Sequence, residues 1–215
     1  MNAAIEFQQV SGIGKGAFLR DISFSLEKGF ILGLTGKSGT GKSMLLKHIV
    51  DPSVKFSGKI LIDGTEIQSS NRSYMNQIGF VSEDNIFQTY WTAQKNAKLY
   101  SKVYDSWNME LFEQYMNQFG VSVYRKVGFL SRGELIKFQM AVAIAHGSKL
   151  FLLDEATAGM DPVFRREFFQ VVRKLMEDGE VSMIMATKLV EELEFKADYV
   201  GTLEDGRLVS YEPVL

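Results

Sequence analysis

Residues Gly36-Lys37-Ser38-Gly39-Thr40-Gly41-Lys42-Ser43 carry the densest chemistry in the chain. Their spacing, a glycine, four free positions and then Gly-Lys-Ser, is that of a loop whose backbone wraps phosphate. Phosphate oxygens are densely negative, and a loop with few side chains lets successive N–H groups point at them. Gly36, Gly39 and Gly41 permit the turns and the close approach. A helix opening at Ser43 and Met44 adds the positive end of its dipole. Lys42 then reaches the β- and γ-phosphates of a nucleoside triphosphate, and the Ser43 hydroxyl ligates Mg²⁺. The bland alternative is a glycine-rich turn that binds nothing. The apolar run Phe30–Thr35 before the loop and the Lys-Ser after it argue against that.

A second set is Phe151-Leu152-Leu153-Asp154-Glu155-Ala156. Four positions of buried-strand character end in a carboxylate, and in open α/β sheets ligands sit at that edge. Asp154 would hold Mg²⁺ through water. Glu155 would be the general base that orients an attacking water beside the γ-phosphate and accepts its proton. An acidic strand end that merely caps the next loop is the weaker reading. The third string is Leu130-Ser131-Arg132-Gly133-Glu134, at the start of a helix-like run. On its own it reads as a capping box of Ser131 with Glu134.

The elements that must position these residues follow from periodicity. Ile5 and Phe7, then Ile22, Phe24 and Leu26, alternate with polar residues as half-buried antiparallel strands do. A helix is expected over Ser43–Val50, stopped near Asp51-Pro52. Lys59–Ile67 reads as a hairpin turned at Asp63-Gly64, and Ile78–Ser82 as a short strand leading to Glu83. From Thr92 to Ala145 the texture is helical, with Phe112, Tyr115, Met116 and Phe119 at three- and four-residue intervals. Such a stripe is core packing rather than a cofactor box. Lys149–Asp154 is strand, Phe164–Glu177 helix, Val181–Ala186 strand, and Asp205-Gly206 turns a last hairpin. The expected fold class is α/β, a phosphate-loop core with an N-terminal antiparallel β subdomain and a helical subdomain insert. Residues 1–215 form one domain, with core and β subdomain over 1–86 and 148–215 and the helical subdomain over 87–147.

Composition excludes several classes. Apolar residues make up 46% and charged residues 23%, ordinary for a globular chain that buries a core. The balance of 24 basic against 26 acidic residues, net −2, argues against a nucleic-acid partner. Without cysteine there is no thiol catalysis and no cysteine metal site. Met1–Gln9 lacks the pattern of a signal peptide, and no apolar run approaches the roughly 18 residues of a membrane span. Work at a membrane would need another chain for the spans.

The order of the three strings makes the chain resemble the nucleotide-binding subunit of an ATP-binding-cassette (ABC) transporter, whose signature sequence is LSGGQ. Tyr104-Asp105, Phe112–Tyr115, Lys126 and Asp161–Glu167 narrow the resemblance to the compact ABC-2-type exporter ATPases of Gram-positive bacteria. That resemblance implies a cytoplasmic ATPase with ATP and Mg²⁺, held to the inner face of the cell membrane by a separate permease. It implies a dimer, identical or mixed, in which two subunits sandwich two ATP molecules. Ser131, Arg132, Gly133 and Glu134 would face the partner's nucleotide, with Asp161 in the facing loop. Permease contacts would come from Ile86, Phe87, Tyr90 and Trp91 and from the helical insert, if those residues are exposed.

The chain departs from that pattern at five positions. Lys188 follows Thr187 where the family has histidine, and a charged lysine has no acceptor lone pair. Glu83 stands for a glutamine and can still serve a metal-linked water. Arg132 replaces a signature glycine and Glu134 its glutamine. The adenine-stacking aromatic is missing from its usual place, where Ile13 lies nearest and Phe18 is a stand-in. Two readings follow: a working ATPase with Glu155 as base and Lys188 in support, or a subunit that binds ATP but hydrolyses it poorly. The other classes are a soluble ABC-type ATPase with a regulatory or assembly role, and a phosphate-loop kinase, which has no use for LSRGE.

Overall fold

The computed structural model describes residues 3–14, 18–68, 70, 72–188, 193 and 197–214. Its first half holds β1 (Ala3–Gly12), β2 (Ile22–Glu27), β3 (Ile31–Thr35), α1 (Lys42–Val50), β4 (Phe56–Ile62), β5 (Thr65–Glu66) and β6 (Ile78–Ser82). Three helices come next: α2 (Ala93–Tyr100), α3 (Met109–Gln118) and α4 (Arg132–Ala145). Then follow β7 (Leu150–Asp154), α5 (Pro162–Met176), β8 (Ser182–Ala186), β9 (Tyr199–Glu204) and β10 (Arg207–Pro213).

Among the described residues the strands make two sheets. One is antiparallel, in the order β2-β1-β4-β5, and the other runs β10-β9-β3-β8-β7-β6. In the larger sheet β9, β3, β8, β7 and β6 are parallel, and β10 is an antiparallel edge. The α/β class, the N-terminal antiparallel sheet and the helical stretch between β6 and β7 are as expected.

Residue pattern explains each layer. β2 alternates buried and exposed along its whole length, so one face of the antiparallel sheet meets the core. In β3, β7 and β8 every residue is buried, because both faces of the parallel sheet are covered. The pleat divides β7 between two cores. Leu150 and Leu152 pack with α1 and the antiparallel sheet, whereas Phe151 and Leu153 pack with α3, α4 and α5. β7 is thereby held rigid, and it delivers Asp154 to the carboxyl edge of the sheet.

The stripe Phe112, Tyr115, Met116 and Phe119 is core. Helix α4 is buried all round from Ile136 to Ala145, which makes it the central rod of the helical part. Helix α5 begins at Pro162 rather than Phe164, because Asp161 accepts hydrogen bonds from Val163 and Phe164 and Pro162 suits the first turn. At the tip of the β9–β10 hairpin Gly206 rests on the phosphate loop. Its N–H donates to Thr40 O at 3.2 Å, and its carbonyl accepts from Arg20 N–H at 2.7 Å. With φ at 76° and a Cβ that would stand 2.0 Å from Phe18 O, only glycine fits there.

His146, just past α4, is 3% exposed and stacks on Tyr104 with ring centroids 4.0 Å apart. Burial pushes its pKa down from 6.5 to about 4. The folded value lies below the unfolded one, so as pH falls the unfolded chain takes up the proton first. This contribution is intact above pH 6.5 and is lost progressively toward pH 4, the loss reaching about 2 kcal/mol by pH 5. Urea titrations at pH 7.5 and 5 should therefore show a larger fall in stability for the wild type than for His146→Gln. Equal falls would contradict the assignment.

Candidate nucleotide site

The loop between β3 and α1 is shaped by Gly41, which caps α1 at φ 109° and lies where a Cβ would come within 2.8 Å of Leu19. Lys37, Ser38 and Gly39 are exposed on the loop, Gly36 and Met44 are half-buried at its two ends, and Thr40 is buried. The Thr40 hydroxyl donates to Lys37 O at 3.0 Å and braces the loop. Lys42 bends its ammonium back over the loop, donating to Gly36 O at 2.7 Å and Lys37 O at 3.0 Å. Burial pushes the Lys42 pKa down; Glu155 and Asp154 oppose that shift, and Lys188 adds to it. A partly desolvated ammonium on a glycine-shaped loop at a helix N-terminus is suited to a polyanion.

The Ser43 hydroxyl donates to Asp154 Oδ1 at 2.8 Å, joining the loop to the end of β7. Burial pushes the Asp154 carboxyl up, the Ser43 hydrogen bond pulls it down, and Glu155 pushes it up again. A buried carboxylate with a hydroxyl beside it is a hard oxygen pair of the kind Mg²⁺ takes. Among the described residues no three His, Cys, Asp or Glu side chains converge into a cage.

Glu155 adopts φ 50°, in the left-handed region that non-glycine residues seldom occupy. Its N–H donates to Ala186 O at 2.9 Å, which fixes the turn. Such conformations persist where surrounding structure over-determines them, and they gather at functional sites. Lys188 Nζ lies 3.5 Å from Glu155 Oε1, so the segment just after β8 supplies a cation to the carboxylate that follows β7.

The remaining site residues form a second cluster. Ser131 caps α4, and Ser131 with Glu134 makes the full capping box; Arg125 pairs with Glu134 and donates to Phe129 O at 2.5 Å. Gly133 is required by a close approach, because a Cβ there would meet the Phe164 ring at 2.9 Å. Asp161 caps α5 beside it, so the LSRGE and Asp161 segments pack together. Glu83 pairs with Arg132, which turns that carboxylate toward α4.

Of the adenine candidates, Phe18 lies with its ring edge 3.3 Å from the Cβ position of Gly41, while Ile13 is exposed and lines a cavity with His48. The stretch after Glu83 divides. Ile86 and Tyr90 are exposed, but Phe87 is buried, contrary to an aromatic surface there. Asn85 accepts from Phe87 N–H at 2.9 Å and turns the ring inward onto Phe138, 4.6 Å away. Trp91 is half-buried, with Lys95 Nζ 4.2 Å over its ring. Ile86, Phe87, Tyr104, Gln139, His146 and Lys47 line a groove of about 390 Å³. Sequence reasoning missed Gln139, whose side chain accepts from Ser82 N–H at 2.8 Å and donates to Ser82 O at 2.9 Å. A glutamine in an apolar helix whose other buried faces read as core is the signal that could have found it.

A parallel sheet with this loop between β3 and α1, and with Asp154 hydrogen-bonded to Ser43, defines the phosphate-loop class of nucleotide-binding fold. The family profile described as ABC transporter matches residues 19–158, well over half of the chain, and the protein belongs to that family. It is 29% identical over 207 residues to the ABC transporter ATP-binding protein YtrB of Bacillus subtilis (strain 168), covering 96% of this chain and 70% of that protein. It is also 29% identical over 214 residues to the Nod factor export ATP-binding protein I of Rhizobium etli, covering 96% of this chain and 67% of that protein. The chain thus spans about two thirds of the length of these relatives. A solved structure of the ATP-binding subunit of an ABC transporter superposes with a TM-score of 0.87 at 20% identity, covering 98% of this chain and 90% of that one.

Proposed function

We propose that the protein is the ATP-hydrolysing subunit of an ABC exporter, acting as a dimer on a separate membrane permease at the inner face of the cell membrane. The observation that carries the reading is the Ser43–Asp154 hydrogen bond, with Glu155 next in sequence at the end of a buried strand. Lys42 and the loop N–H groups bind and orient the triphosphate. Ser43 and Asp154 would hold Mg²⁺, which would supply charge neutralisation of the β- and γ-phosphates, while Glu83, turned onto Arg132, stays outside that pair. Glu155 accepts the proton of the attacking water, and Lys188 steadies that carboxylate. Ser131, Gly133 and Asp161 would face the nucleotide of the second subunit. Of Ile13 and Phe18, Phe18 is the one packed against the loop, which supports it as the stand-in for the adenine-stacking aromatic.

The export direction is supported by the relative named for Nod factor export. Among the described residues no helix is long and apolar enough to cross a membrane, which is consistent with spans supplied by a partner. The groove floored by Gln139 and His146, with exposed Ile86 at its rim, suits a short helix presented by the permease. A second reading rests on the ion pair that occupies Glu155, for an attacking water must share the carboxylate with Lys188. A subunit that binds ATP with slow turnover would follow.

Two measurements test the proposal. Mg·ATP should bind the purified wild type, and Lys42→Ala should weaken binding by about a hundredfold or more, the loss of a charge-assisted contact to phosphate. Tagged protein drawn from native membranes should bring a polytopic membrane protein with it. Recovery of only ribosomal, DNA-bound or assembly-scaffold partners would sink the transporter reading in favour of a soluble regulatory ATPase.

A further inference from the structure

Two acidic pairs follow the carboxyl ends of neighbouring strands: Glu83 and Asp84 after β6, and Asp154 and Glu155 on and after β7. Strand pairing sets Ser82 opposite Asp154, so the two acidic pairs start side by side. Each member has its own partner. Lys47 Nζ is 3.6 Å from Asp84, Lys188 Nζ is 3.5 Å from Glu155, and the Ser43 hydroxyl serves Asp154. The partner of Glu83 comes from another element altogether, for it is Arg132, the first residue of α4. The same guanidinium flanks Gly159, where a Cβ would stand 3.4 Å from Nη1.

This pair is not needed to hold the backbone. Gln139, two turns further along α4, already grips both the N–H and the carbonyl of Ser82. Both Arg132 and Glu83 side chains are 46% exposed, and an ion pair so exposed adds little to folding. Its effect falls on the electrostatics of the site. A triphosphate brings several negative charges to the Ser43–Asp154 corner, and an unpaired Glu83 carboxylate nearby would repel it.

We propose that Arg132 is a positioning residue for nucleotide binding, which turns the Glu83 carboxylate toward α4 and cancels its charge. Two of the departures from the ABC pattern, a carboxylate in place of a neutral amide at 83 and an arginine in place of glycine at 132, act as one unit. The inference rests on the nucleotide-site reading above.

The test is a double-mutant cycle on the full chain, read as the Kd of a fluorescent ATP analogue with Mg²⁺ at low salt. Arg132→Ala should weaken binding about tenfold, and less at high ionic strength, because the lost charge is half-exposed. In a Glu83→Gln background the same change should cost no more than about twofold, since no carboxylate is left to neutralise. Arg132→Lys should keep most of the affinity, and the thermal midpoint of each variant should stay within about 4 °C of wild type. Equal losses in both backgrounds, or no loss in either, would overturn the pairing while leaving the nucleotide site standing. A wild-type protein that binds no nucleotide would remove the site reading and the pairing together.

Discussion

Glu155→Gln should lower steady-state phosphate release from ATP by at least about a hundredfold, the usual contribution of a positioned general base. Glutamine keeps the shape of the side chain and can still hydrogen-bond a water, but it cannot take up a proton at neutral pH. Glu155 is held at φ 50° by its N–H bond to Ala186 O, and this backbone constraint does not depend on the charge. Binding of Mg·ATP should therefore survive and turnover should not. Phosphate release measured beside equilibrium nucleotide binding separates the two effects. A variant that still turns over at the wild-type rate would move the base elsewhere and leave Glu155 as a structural turn. A wild type that binds without hydrolysis would favour the reading in which Lys188 keeps Glu155 occupied.

Phe138→Ala should cost about 3–5 kcal/mol of folding stability, because it opens a large cavity in a dense core. Phe138 is fully buried on α4. Its ring meets Phe87 edge-on at 4.6 Å and Phe112 at 6.1 Å, so one side chain joins α4, α3 and the stretch after Glu83. A loss of that size is a large fraction of the 5–15 kcal/mol that typically separates folded from unfolded domains. Denaturant midpoints for wild type, Phe138→Leu and Phe138→Ala should fall in that order. A small loss for the alanine variant would mean that the helical layer collapses around the gap.

What was legible in the sequence was whatever has a local cause. The alternation in Ile22–Glu27, the continuous apolar runs of β3, β7 and β8, and the phosphate-loop spacing each state their structure within a few residues. The capping box of Ser131 with Glu134 was equally local. Contacts between distant segments were not legible. Nothing near Arg132 announces Glu83, and nothing near Gln139 announces Ser82. The need for glycine at 133 comes from Phe164, which lies in another helix. The inward turn of Phe87 beside outward Tyr90 was undecidable for the same reason. Two aromatics three residues apart in a loop have no periodicity to divide them, and Asn85 made the choice.

The contact between Gly206 and Thr40 has a bearing on the order in which a working molecule can come into being. Residues 36–43 leave the ribosome well ahead of the hairpin tip that leans on them, which lies more than 150 residues further along the chain. At ordinary elongation rates the interval is on the order of ten seconds. For most of it β3 also lacks its neighbours β8 and β9, which are made only shortly before that tip, so the strand that carries the loop stands unpaired. A nascent chain therefore carries the residues for gripping phosphate long before it has the support to hold them in shape. Nucleotide capture is thus a late event in synthesis, and a chain halted after β7 is an ATP-binding sequence without an ATP-binding site.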